Sequence, residues 1–184
     1  MPKLFCIGLP KTGTTSLFSC LVQLGYNARH NDSDYWQYWF SGNFAKLKEE
    51  LDKVDAVLHF GWWMKDVLLK WYPDAVFIRT VRDLDKWHAS CQRQMDARLL
   101  YNELQPFVRI AAFNTTHYSK TQWQDTWDRH EAYWEDAQDL NICDYPNWNA
   151  LCHILDTPVP DLPFPHENDH RNAKTVSFDE KTRL

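Results

Sequence analysis

At 184 residues, with 44% hydrophobic and 24% charged residues, the chain is long enough for one domain with a substantial core and ordinary in composition. Its net charge of −5 argues against a nucleic-acid binder that works through a broad basic surface, so an anionic ligand has to be held by local positive groups. No apolar run reaches the length of a membrane span, and because the N-terminus reads as entering a strand at once, no signal peptide is expected. In chain order, residues 3–9 (Lys-Leu-Phe-Cys-Ile-Gly-Leu) read as a buried strand. Residues 14–24 read as a helix, with Leu17, Leu21 and Leu24 on one face and Gly25 as its stop. A short second strand follows at 26–30, an amphipathic helix at 43–54, and a strand at 55–60 ending in His59-Phe60-Gly61. Residues 62–72 read as a helix closed by Pro73, 75–81 as a strand leading to Arg82-Asp83, and the segment from about Asp85 as a helix. The stretch 100–140 reads as helical, because Trp123, Trp127, His130, Trp134 and Ala137 recur on one helix face. A last strand is expected at 140–143 and a last helix at 149–155.

Strands alternating with helices predict right-handed crossovers and a three-layer α/β/α fold around a mostly parallel sheet. Residues 1–160 are expected to form that single domain, and 161–184, rich in Pro, Asn, Asp and His, an irregular arm laid over it. Five scattered cysteines, with no Cys-x-x-Cys pair, fit reduced thiols in a cytoplasmic protein. Most of the ten tryptophans are expected in the core, and the 123/127/134 stripe reads as core in preference to a carbohydrate platform.

Residues 6–17, Cys-Ile-Gly-Leu-Pro-Lys-Thr-Gly-Thr-Thr-Ser-Leu, read as strand, tight loop and helix. Such a loop cradles phosphate with backbone N–H groups and the positive end of a helix dipole. Gly8 and Gly13 have the spacing of a nucleoside-triphosphate loop, but Thr14 stands where that loop carries its lysine. The only lysine is Lys11, before the second glycine, so its charge arrives from a different direction. In an open parallel sheet, ligands bind beyond the carboxyl ends of the strands. On that rim the first strand brings Lys11, the third His59, and the fourth Arg82, with Ser90 two turns into the next helix. Together they offer an anion cradle, an acid–base group and a second anion clamp. Taken singly, His59 could be a satisfied histidine at a strand end, Arg82 half of an ion pair with Asp83 or Asp85, and Asp83 a magnesium ligand.

These residues resemble a known family. Pro10-Lys11-Thr12-Gly13-Thr14-Thr15, followed by Ser16, is similar to the 5′-phosphosulfate loop of sulfotransferases. Those enzymes use 3′-phosphoadenosine 5′-phosphosulfate (PAPS) as donor and release 3′,5′-adenosine bisphosphate (PAP). Arg82 with Ser90 eight residues later resembles the family's 3′-phosphate clamp, and His59 its catalytic histidine. Trp71-Tyr72-Pro73-Asp74-Ala75, Thr80-Val81-Arg82-Asp83, Trp148-x-x-Leu-Cys and Pro163-Phe164-Pro165-His166-Glu167-Asn168 look like a compact bacterial and marine branch. The resemblance implies sulfuryl transfer from PAPS, with Lys11 stabilising the leaving phosphate and His59 as candidate base. His30, Asp32 and Asp34 compete for the base role. A sulfuryl group carries less negative charge than a phosphoryl group, so no metal is required. An imidazole with an ordinary pKa near 6.5 suits the base. The acceptor is expected to be a small molecule, in a pocket drawn from His30, Trp36, Trp39, Trp62 and Trp63 and the 100–140 helices. Neither a nucleic acid nor a membrane is an expected partner. A P-loop kinase of a small metabolite and a catalytically inactive nucleotide-binding scaffold are the alternatives.

Overall fold

Short apolar runs separated by amphipathic helices assemble here into a five-stranded sheet in which every strand runs parallel. The computed structural model describes residues 1–101 and 120–165. The strands are β1 (Leu4–Cys6), β2 (Ala28–His30), β3 (Ala56–Leu58), β4 (Val76–Thr80) and β5 (Gln138–Leu140), in the spatial order β2-β3-β1-β4-β5. The helices among the described residues are α1 (Thr14–Gln23), α2 (Ser33–Phe40), α3 (Phe44–Asp52), α4 (Lys65–Trp71), α5 (Leu84–Tyr101), α6 (Lys120–Tyr133) and α7 (Trp148–Ile154).

The alternation of side chains along a strand divides the core in two. Leu4 and Cys6 of β1 join Leu17 and Leu21 of α1 and Leu151 of α7 on one face. Phe5 joins Leu47, Leu51, Leu68 and Trp87 on the other. Both faces of β1 are fully buried, which is why its sequence is a continuous apolar run with no polar alternation. The result is a three-layer α/β fold. β1 lies between β3 and β4, so the chain passes to opposite sides of it, and the crevice beyond its carboxyl end is where such a sheet receives a ligand.

The tryptophan stripe belongs to the core: Trp123, Trp127 and Trp134 are 2%, 8% and 1% exposed. Truncating buried aromatics of this size costs about 3–5 kcal/mol, so the stripe is a foundation for the sheet's second face. Its helix ends earlier than the periodicity suggests. Beyond Tyr133 the chain turns, Ala137 N–H donating to the Trp134 carbonyl at 3.0 Å, and Gln138–Leu140 pair with Ile78–Thr80. The helical reading of 100–140 is therefore corrected at 138–140, and the strand expected at 140–143 lies two residues upstream. Asp139 draws that segment into the sheet edge through a two-pronged pair with Arg79, at 2.6 and 2.9 Å. Helix α2 is absent from the sequence reading. Its N-cap is Asp32, whose carboxylate accepts the Asp34 N–H at 2.9 Å, a local signal for a helix start. The helix expected at 62–72 begins only at Lys65, because Gly61 (φ 88°) opens a turn closed by Met64 N–H to the Gly61 carbonyl. Residues 102–119 of the predicted helical stretch, and the predicted arm from 166 onward, lie outside the described residues.

Candidate active site

The loop after β1 is held from beneath. Gly8 passes so close to β4 that a Cβ there would sit 1.9 Å from Thr80 Oγ1 and 2.7 Å from the Thr80 nitrogen. Backbone cannot retreat as a flexible side chain can. Gly8→Ala should therefore destabilise the fold by about 3 kcal/mol, at the upper end of overpacking, measured by chemical denaturation. Two residues of the loop take left-handed backbone, Lys11 at φ 74° and Gly13 at φ 100°. For Lys11 this is uncommon and costs on the order of 1 kcal/mol, a strain the surrounding contacts have to impose.

Those contacts converge from three elements. Trp87 of α5, fully buried, donates its indole N–H to the Pro10 carbonyl at 2.8 Å. Arg82 Nη1 donates to the Lys11 carbonyl at 3.2 Å. Thr12, fully buried, donates its hydroxyl to the Leu9 carbonyl at 2.6 Å. With that proton committed, Thr12 Oγ1 accepts from Thr80 Oγ1, also at 2.6 Å. The Thr12 side chain is thus spent inside the protein, and what it offers an anion is its backbone. Just past β5, Ile142 and Cys143 close over Gly13, where a Cβ would lie 3.0 Å from both Cys143 Sγ and Ile142 Cγ1. Burial pushes the Cys143 thiol up, against the opposing pull of the Arg82 and Lys11 charges. The sequence reading missed Ile142 and Cys143; their position just after a strand end was the available signal.

Helix α1 starts at Thr14, with Gly13 as N-cap and the Leu17 N–H bonded to the Gly13 carbonyl at 3.0 Å. The Gly13 cap carries no side-chain oxygen that could compete for the helix's first N–H groups. Thr14 and Ser16 are 4% and 3% exposed, and Thr15 is half-buried. His30, the last residue of β2, places Nε2 3.1 Å from Thr14 Oγ1, and burial pushes its pKa down to about 4.

Arg82 lies just past β4, with its Nε buried and without a hydrogen-bond partner. The Arg82–Asp83 and Arg82–Asp85 ion pairs considered as its plain reading are not among the salt bridges of the described residues. Asp83 instead caps α5, accepting the Lys86 N–H at 3.0 Å. Asp144 braces that corner: it accepts from the Asp83 N–H at 3.2 Å and from Lys86 and Asn141, which hold its pKa down near 2. Ser90 lies on α5, 4% exposed, on the buried side with Trp87 and Cys91. Among the described residues no group of three or more His, Cys, Asp or Glu could hold a metal ion.

His59 directly follows β3 at φ 60° and is half-buried. Its ring packs edge-on against His30 and Trp62, each at 5.5 Å between centroids. Trp62 is fixed in turn by the Trp134 indole, which donates to the Trp62 carbonyl at 2.6 Å. The four tryptophans singled out from the sequence do meet: Trp63 stacks on Trp36 at 4.6 Å and contacts Trp62 at 4.8 Å and Trp39 at 6.0 Å. Trp36 and Trp62 are core residues, 6% and 4% exposed, while Trp39 and Trp63 are half-buried and form the more open side. Asp32 is occupied as the α2 cap, and Asp34 is exposed in the first turn of that helix.

The rim therefore holds a backbone cradle at a helix N-terminus, a lysine and an arginine joined through the loop, and a pair of histidines beside an aromatic wall. A family model for the sulfotransferase domain matches residues 3–173, nearly the whole chain. The chain belongs to the sulfotransferase domain family, whose class of reaction is sulfuryl transfer. No curated protein matches it as a relative. All five cysteines are free thiols. No helix of the described residues is long and apolar enough to cross a membrane.

Proposed function

We propose that the protein transfers a sulfuryl group from PAPS to a hydroxyl or amine of a small acceptor, by in-line attack and without a metal. The observation that carries this reading is Arg82. Its guanidinium is tied to the phosphate loop through the Lys11 carbonyl, yet keeps a buried Nε–H that the protein does not satisfy. A buried donor left without an acceptor is costly, about 1–3 kcal/mol, and an incoming phosphate oxygen would relieve it. The Gly8–Gly13 cradle and the open N-terminus of α1 fit a 5′-phosphate; Arg82, with Ser90, fits the 3′-phosphate that distinguishes this donor from ATP. The donor supplies the sulfuryl group and a nucleotide phosphate as leaving group. Lys11 neutralises the charge growing on that phosphate. The loop amides with Thr14 and Thr15 hold it in line, and His59 takes the acceptor's proton. Trp39 and Trp63 offer the acceptor an apolar wall.

The test is thermal stabilisation by 3′,5′-adenosine bisphosphate against AMP and ATP. At a hundred times its dissociation constant, a ligand adds about 2.7 kcal/mol of stability. The bisphosphate should bind about ten- to a hundredfold better than AMP, and Arg82→Ala should erase most of that gap. Equal affinity for AMP and the bisphosphate would overturn the clamp.

A further inference from the structure

We propose that His30 is a positioning residue of the phosphate loop: it donates its Nε2–H to Thr14 Oγ1 and so aims the Thr14 hydroxyl proton at the donor's 5′-phosphate. This inference rests on the donor reading above. The two atoms are 3.1 Å apart, and between an imidazole nitrogen and a hydroxyl either can be the donor. A phosphate oxygen settles the direction. It only accepts, so a threonine that bonds to it through its hydroxyl must give up its single proton there. Thr14 Oγ1 then has only lone pairs left for His30, and His30 must donate.

The fold holds the imidazole for this purpose. His30 ends β2, which is paired to β3, and its ring is wedged between Phe18 of α1, at 5.7 Å, and His59, at 5.5 Å. Thr14 is the first residue of α1 and only 4% exposed, so His30 reaches a hydroxyl with little bulk water to compete for it. Burial, which pushes His30 down to about 4, keeps the ring neutral near pH 7 and avoids a second cation beside His59 when that residue takes a proton. A ring nitrogen already donating a proton cannot accept the acceptor's, so the same bond removes His30 Nε2 from the candidates for general base. The sequence offered His30 for the base and for the acceptor pocket; the contact with Thr14 gives it a different task.

The experiment is a double-mutant cycle read by calorimetric binding of 3′,5′-adenosine bisphosphate, with turnover measured alongside. His30→Ala should weaken binding about three- to tenfold, the worth of one hydrogen bond. His30→Gln, whose amide N–H replaces Nε2–H, should restore affinity to within about twofold. In a Thr14→Val background, His30→Ala should change nothing further. Should His30→Ala not fold, His30→Phe keeps the ring packing and removes only the donor. Additive losses in the double variant overturn the proposal. So does a loss of turnover in His30→Ala at unchanged affinity, which would make His30 the base. If the wild type binds no bisphosphate, the donor reading falls and this proposal with it. If it binds and the cycle is additive, this proposal alone falls.

Discussion

Lys11→Ala is expected to lower turnover by about a hundredfold or more while the bisphosphate still binds, a loss of roughly 3–4 kcal/mol in the transition state. The charge on a leaving phosphate grows as its bond to sulfur breaks, so a fixed cation beside it acts more on the transition state than on the ground state. The loop is held at the Pro10 carbonyl by Trp87, at the Lys11 carbonyl by Arg82, and at Thr12 by Leu9 and Thr80. Alanine meets the same penalty as lysine at φ 74°, whereas glycine would relax it and confuse the comparison. Steady-state kinetics decide the matter. A variant with near-normal kcat and only a raised KM would show that Lys11 binds the donor and does no more.

For His59→Ala, turnover should fall by about 10²–10⁴ with bisphosphate affinity retained, the signature of a lost general base. The pH–rate profile of the wild type identifies which histidine is responsible. A base works only in its unprotonated form, so the rate must rise as pH climbs through its pKa. His30 is pushed down to about 4 by burial, so its deprotonation is complete well below neutrality. A rise in the ordinary imidazole range, about 6.5, would therefore not come from His30. If the profile is flat from pH 5 to 8 in wild type, and His59→Ala keeps its rate, proton transfer has to be sought at His30, through the turnover of His30→Ala, or at Asp34, the exposed carboxylate in the first turn of α2. Asp32 is the weaker alternative, since its carboxylate is engaged as the helix cap.

Strands and helices were legible wherever a local pattern carried its own punctuation. The apolar run at 3–9 yields β1, and Gly25 marks the end of α1, where the Gly25 N–H bonds to the Val22 carbonyl at 3.0 Å. The alternation of elements was enough to imply a parallel sheet, because a strand–helix–strand unit has only one common way to close. The same reasoning failed at 138–140. There Gln138 and Asp139 are exposed and only Leu140 is buried, so an edge strand carried too little hydrophobic signal to interrupt a strong helical periodicity. It failed again at α2, a short aromatic helix whose start is marked by Asp32 alone.

Among the site residues, what the sequence by itself determined was the chemistry available at the rim: a glycine-framed loop with a displaced lysine, an arginine after one strand and a histidine after another. Those are properties of residue type and spacing, and they survive any detail of packing. What only the tertiary structure decided is which atoms of those residues remain free to act. Thr12 and Thr14 are both threonines in one loop, yet Thr12 is locked inward against Leu9 and Thr80, while Thr14 meets His30. Trp36 and Trp63 look alike in sequence, yet one is buried in the core and the other is half-buried at its more open side. Asp83, which could have bound a metal, is taken up as a helix cap. For Thr12 the physical reason is that a partner distant in the chain consumes its hydrogen bonds: Thr80 comes near only when β1 and β4 lie side by side. For the tryptophans it is which of them the packed layers cover.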